Sequence, residues 1–177
     1  MKIKNLFVLF MLLGTIATAH AQSVQPEAAT VLKEAQKKAE KEKKNVFVIF
    51  HASWCSWCKK MEANMENEAC KKFFDDNYVI THLTVMESEK NKHLENPGVD
   101  ELLKKYKAEK QGIPFWVVLD HKGNLMADSF NSKGQNLGCP ASKGEVKEFV
   151  GKLKKTSKMD TKQLQIIANV FEIKKSK

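Results

Sequence analysis

Apolar positions recur along this chain with two different periods, and the changes of period divide it into elements. From Pro26 to Lys44, the residues Ala28, Val31, Leu32, Ala35 and Ala39 fall on one helical face, with lysines and glutamates opposite. Pro26 suits the first helical position, where its missing N–H costs nothing, and Asn45 ends the run. Val46 to Phe50 is continuously apolar and β-branched or aromatic, the pattern of a strand buried on both faces in a parallel sheet. A helical pattern follows through Met61 and Met65. Asn67 predicts a new N-cap, with Cys70 at the third helical position and Phe73 and Phe74 turned inward.

The second half reads the same way. Tyr78 to Met86 alternates Val79, Thr81, Leu83 and Val85 against Ile80, His82, Thr84 and Met86, a strand. Glu87 to Gly98 is a polar loop, and Val99 to Tyr106 a short helix using Val99, Leu102, Leu103 and Tyr106. After Gly112-Ile113-Pro114 comes a strong strand, Phe115 to Leu119; Asp120 to Asn124 is a hairpin turn and Leu125 to Phe130 the returning strand. Asn131 to Ala141 is loop. Ser142-Lys143-Gly144-Glu145 is a capping box, opening a helix with Val146, Phe149, Val150 and Leu153 inward. Asp160 caps a last helix, Thr161 to Ile173, with Leu164, Ile167, Ala168 and Phe171 on one face.

The order is α-β-α-β-α-β-β-α plus one helix. It predicts an α/β fold with a central mixed sheet of about four strands, helices on both faces, and extra N-terminal and C-terminal helices. The βαβ crossover units predict parallel strands with right-handed connections, and the hairpin adds an antiparallel one.

The N-terminus changes the expected address. Lys2 and Lys4 precede an apolar run from Leu6 to Ile16, followed by the small-x-small sequence Ala19-His20-Ala21. This is the layout of a secretion signal over residues 1–21, with a single domain over residues 22–177. The run is shorter than the roughly 20 residues a membrane span needs, so stable membrane insertion is not expected. The protein is expected to be periplasmic or secreted, where disulfides persist.

Charge alters little. The chain carries a formal +9, and loss of Lys2 and Lys4 with the leader leaves about +7. Every basic residue is lysine. With no arginine forks and no interleaved aromatics, the lysines read as solvated helix faces, and nucleic-acid binding is not expected.

The chemistry concentrates at Trp54-Cys55-Ser56-Trp57-Cys58, between the first strand and a helix. The first turn of a helix presents unpaired N–H groups and a partial positive charge. A thiolate there is stabilised and becomes a nucleophile for disulfide exchange. One helical turn separates the two sulfurs, so they can bond to each other. Cys55 is expected to be the outer, attacking thiol and Cys58 the inner, resolving one. Cys70 and Cys139 are read as two separate thiols, with a second disulfide the alternative. Met61 and Met65, with Trp54, Trp57 and Trp116, raise a thioether copper site, but at these spacings they read as core; no metal or other cofactor is expected.

These residues resemble the thioredoxin-like superfamily, and in particular its exported bacterial thiol–disulfide oxidoreductases. The resemblance rests on Trp54 to Lys59, the strand before it, Gly112 to Pro114 before the third strand, and the hairpin after it, and covers about Asn45 to Leu153. It implies a cis Ile113–Pro114 bond facing the cysteines, with the backbone of Ile113 open to an extended substrate. Trp54, Trp57, Ile113 and Pro114 are the implied substrate-binding residues. It also implies disulfide-bearing protein substrates and a membrane electron donor of the thiol-reducing type.

The departures from the family pattern are informative. Where thioredoxins carry a buried aspartate that takes the proton of the inner cysteine, this chain has Ile49. His82, in place of the neighbouring lysine, is a candidate proton acceptor. His51 replaces an aromatic, and as an imidazolium would lower the pKa of Cys55. Ser56-Trp57 between the cysteines supplies no thiolate-stabilising histidine, and Ile113 precedes the proline. Both point to a reductase of protein disulfides. An oxidase or isomerase, a metal module using Cys55, Cys58 and His51, and a binding module with a static disulfide are the alternatives.

Overall fold

A computed structural model describes residues 25–173; the expected leader over residues 1–21 lies outside them. Six α-helices and four strands alternate in the order α1 (Ala28–Glu42), β1 (Asn45–His51), α2 (Ser56–Met65), α3 (Lys71–Asn77), β2 (Tyr78–Thr84), α4 (Val99–Lys105), β3 (Phe115–Leu119), β4 (Leu125–Asp128), α5 (Lys143–Thr156) and α6 (Thr161–Phe171). The strands form one mixed sheet in the order β2-β1-β3-β4. The expected architecture, a four-stranded sheet between two helical layers, is the one observed.

Alternation along β1 and β3 distributes the core. Phe47 and Ile49 of β1, with Trp116 and Val118 of β3, face α2, α3, α5 and α6. Val46, Val48 and Phe50, with Phe115, Val117 and Leu119, face α1 and α4. Both central strands are buried on both sides, hence their unbroken apolar runs.

Several local expectations need correction. The first helix begins at Ala28 with Glu27 as N-cap, so Pro26 lies outside it, and Asn45 belongs to β1. Helix α3 begins at Lys71 with Cys70 as N-cap; the Asn67 side chain instead accepts from the Ala69 N–H in the preceding turn. Strand β2 stops at Thr84; beyond it the Asn96 side chain binds the Thr84 N–H and Met86 turns into the left-handed region at φ 56°. The loop beyond it holds a 3₁₀ turn, Glu89–Leu94. Strand β4 ends at Asp128, and α6 at Phe171.

The larger correction concerns strand direction. β1 and β2 are parallel, as expected, but β3 runs antiparallel to β1, with Phe50 opposite Phe115 and Val46 opposite Leu119. The connection from β2 to β3 runs through the 3₁₀ turn and α4. It leaves the chain at the end of the sheet where β1 and β2 finish, and β3 begins there. That reversal sets Pro114 beside the end of β1 and the cysteine motif that follows it.

The caps of the last two helices are those the sequence predicts. Ser142 with Glu145, and Asp160 with Gln163, form complete capping boxes at α5 and α6. The lysines at 33, 37, 38, 41, 43, 147, 154 and 155 are exposed, as solvated helix faces should be.

Candidate active site

Strand β1 delivers the chain to Ala52, and a tight turn closes with Cys55 N–H donating to the Ala52 carbonyl at 3.1 Å. Cys55 is then the N-cap of α2. Its Sγ accepts the Cys58 backbone N–H at 3.1 Å, so a sulfur occupies the position of a capping oxygen. Cys55 and Cys58 form a disulfide, S–S 2.03 Å and Cα–Cα 5.3 Å.

The Ile113–Pro114 peptide bond is cis. The Ile113 carbonyl oxygen lies 3.6 Å from Cys55 Sγ, and Ile113 packs on the small cluster of Ala52, Cys55 and Cys58. The structure thus brings together Cys55, Cys58, Ile113 and Pro114. Cys55 and Cys58 are 3% and 5% exposed, so the outer–inner distinction drawn from the sequence is not expressed as exposure. Trp54 and Trp57, at 58% and 50%, stand out into solvent beside them. Trp57, Ile113, Pro114, Leu137, Gly138, Cys139, Ala141 and Glu145 line a shallow groove of about 280 Å³.

Residues that pattern reasoning passed over hold this site. Asn136, within an expected loop, donates from Nδ2 to the carbonyls of Gly112 (2.6 Å) and Pro114 (3.1 Å), bracketing the cis bond. Its Oδ1 accepts from buried Ser129 Oγ at 2.7 Å and Gly138 N–H at 3.0 Å. Trp116 donates its indole N–H to the Gly138 carbonyl at 3.0 Å, tying the groove to the core. Glu87 and Asn96 are likewise buried polar residues in what reads as polar loop. Nothing in a lone asparagine or glutamate among turn residues signals such roles.

Ile49 is buried against the α2 face of the sheet. His51 and His82 sit side by side, ring centroids 5.1 Å apart. His51 Nε2 is 3.4 Å from Thr84 Oγ1, and His82 Nε2 is 3.7 Å from the Glu62 carboxylate, on α2 one turn beyond Cys58. Burial holds both imidazoles below the ordinary histidine range; His82 pushes His51 down further, while Glu62 pulls each partly back. Both shifts favour the neutral imidazole.

These shifts fix a pH dependence. The unfolded chain protonates these histidines more readily than the folded one, so unfolding takes up protons and stability rises with pH. The urea midpoint is expected to fall as pH drops below about 6.5 towards the lowered folded values. Replacing both residues with glutamine should flatten that limb. Midpoints at about pH 7.5 and about pH 5 for parent and double variant check this; equal slopes would remove the histidines from the account.

Cys70 and Cys139 are free and buried, and burial pushes each thiol up to about 11. The Cys70 thiol contacts the Asn64 carbonyl at 3.1 Å. Met61, Met65 and Trp116 lie in the core. Among the described residues, no group of three or more His, Cys, Asp or Glu side chains is placed to hold a metal ion, and no helix is long and apolar enough to cross a membrane.

A family model described as thioredoxin-like matches residues 27–121. Among solved structures, a disulphide isomerase from Xylella fastidiosa Temecula1 is 21% identical, with 81% of this chain and 88% of that one covered and a TM-score of 0.49. The C-terminal domain of DsbD from Neisseria meningitidis, in its reduced form, is 29% identical over 56% of this chain and 81% of that one, TM-score 0.39. The exposed lipoprotein thioredoxin Etrx1 from Streptococcus pneumoniae is 21% identical over 51% and 76%, TM-score 0.38. Comparison with curated proteins yields no match.

Proposed function

The chain belongs to the thioredoxin-like family, and from that premise we propose that it is an exported thiol–disulfide oxidoreductase that reduces disulfides in other proteins. The observation that carries the reading is the Cys55–Cys58 disulfide at the start of α2, with Cys55 Sγ accepting the Cys58 N–H and lying 3.6 Å from the Ile113 carbonyl. A sulfur so placed is stabilised as a thiolate once the pair is reduced, by a backbone N–H and by the positive end of the helix.

The cycle starts from the dithiol. Cys55 thiolate attacks one sulfur of a substrate disulfide; the Cys55–substrate bond forms, the substrate S–S bond breaks, and the leaving thiolate takes up a proton. Cys58, deprotonated, then attacks Cys55 Sγ. The intramolecular disulfide forms, the second substrate thiol leaves, and two electrons have passed to the substrate. Neutral His82, supported by Glu62, is the proposed acceptor for the Cys58 proton, a role its lowered pKa leaves open at neutral pH. Trp54 and Trp57 form the apolar rim of the substrate surface, and the Ile113 backbone pairs with an extended segment.

Residues 1–21 as a cleaved leader place the mature domain, residues 22–177, outside the cytosol, where a membrane-bound thiol donor must restore the dithiol. The test is the equilibrium reduction potential of the pair in the full protein against glutathione and against a dithiol buffer. A value near about −270 mV is expected; one near about −120 mV makes the protein an oxidant and overturns the reductase reading.

A further inference from the structure

We propose that Glu87 is a positioning residue that clamps the loop carrying Trp54 and Cys55; the proposal rests on the oxidoreductase reading above. Glu87 is 5% exposed, and both its carboxylate oxygens serve one residue. Ser53 N–H donates to Oε1 at 2.5 Å and Ser53 Oγ donates to Oε2 at 2.8 Å. Two hydrogen bonds from one residue to one carboxyl group fix a direction as well as a distance.

The clamp continues the β1–β2 ladder beyond the end of both strands. Val85 N–H donates to the His51 carbonyl at 2.8 Å. Trp54 donates its indole N–H to the Met86 carbonyl at 2.7 Å. Met86 holds φ 56°, a left-handed conformation that an unbranched non-glycine residue adopts only when its surroundings over-determine it. Three successive residues of the β2–α4 connection thus grip His51, Ser53 and Trp54, immediately ahead of the nucleophile.

The gripping segment is itself anchored from behind. Glu87 N–H donates to Glu95 Oε1 at 2.7 Å. Asn96, 6% exposed, accepts the Thr84 N–H at 2.7 Å and donates to the Pro26 carbonyl at 2.9 Å. Through Asn96 the connection is tied to the end of β2 and to the approach to α1. A buried carboxylate spent on a surface turn is costly unless that turn must be placed. Here the turn sets Trp54, the largest exposed apolar side chain beside the disulfide, and the approach to the Cys55 cap. Misplacement of a reacting group by about 1 Å costs on the order of a hundredfold in rate.

Glutamine separates clamp from charge, because its amide oxygen accepts the Ser53 N–H while its amide N–H donates to Ser53 Oγ. In the full chain, Glu87→Ala is expected to slow reduction of an oxidised model peptide about tenfold and to speed solvent exchange of the Trp54 indole N–H by a similar factor. Glu87→Gln should stay within about twofold of the parent in both. Ser53→Ala, which keeps the backbone bond, should fall between, and carries the test if Glu87→Ala does not fold. Glu87→Gln as slow as Glu87→Ala overturns the proposal, since charge and not the clamp would then act. So do alanine variants with unchanged rate and exchange. A parent protein that reduces no disulfide sinks the oxidoreductase reading alone; indole exchange needs no substrate and then decides the clamp.

Discussion

Replacing Cys58 with serine is expected to arrest the protein at its half-way point, with an oxidised model peptide held on Cys55 as a stable mixed disulfide. The two residues have Cα atoms 5.3 Å apart and sulfurs within bonding reach. Resolution is therefore intramolecular, and well-oriented intramolecular reactions reach effective molarities of about 10⁵ M or more. A serine hydroxyl cannot attack the mixed disulfide, and the remaining thiols cannot substitute. Cys70 and Cys139 are buried, their pKa values raised to about 11, so almost none of either is thiolate at neutral pH. Turnover should drop on the order of 10³-fold or more, while intact-mass measurement finds one peptide per protein. Cys55→Ser should capture nothing. A Cys58→Ser protein that still turns over within about tenfold of the parent would remove Cys58 from the mechanism, and capture at Cys58 in the Cys55 variant would reverse the two roles.

The second large effect concerns the C-terminal helix, outside the residues the family model matches. A chain ending at Thr156 is expected to lose cooperative unfolding. Helix α6 buries Leu164, Ile167 and Phe171 almost completely, and Phe171 stacks within 5.0 Å of Phe149 and 6.3 Å of Phe74, ring centroid to ring centroid. Each such side chain contributes about 1.5–3 kcal/mol of burial, so the three together contribute roughly 5–9 kcal/mol. A domain of this size has a net stability of about 5–15 kcal/mol. Removing the helix also strips cover from Phe149 and Phe74, which face the same layer as the inner side of α2. Urea unfolding followed by far-UV circular dichroism checks this: a sloping, non-cooperative loss of signal is expected. Phe171→Ala gives the milder form, about 3–5 kcal/mol. A truncated chain with an unchanged midpoint would make α6 a separate appendage, not part of one domain over residues 22–177.

What this chain's sequence determined by itself was local. The limits of β3, the capping boxes at Ser142 and Asp160, the stripe of α1 and the cysteine pair between β1 and α2 all rest on interactions a few residues apart. Periodicity or a single capping side chain therefore reports them. The cis bond at Pro114 was implied by family resemblance and not by spacing. Tertiary structure alone decided the direction of β3, because an apolar run of five residues reads the same from either end. It also decided which polar loop residues matter. Glu87, Asn96 and Asn136 look like turn residues until the fold places Glu87 against Ser53, Asn96 against the end of β2, and Asn136 across the cis proline. The downward shift of His51 has the same origin, since an imidazole's pKa depends on burial and on its neighbour His82, a residue 31 positions away in the sequence and one strand away in space. Local order follows from the pattern of side chains along the backbone; the site follows from distances between segments, which that pattern does not contain.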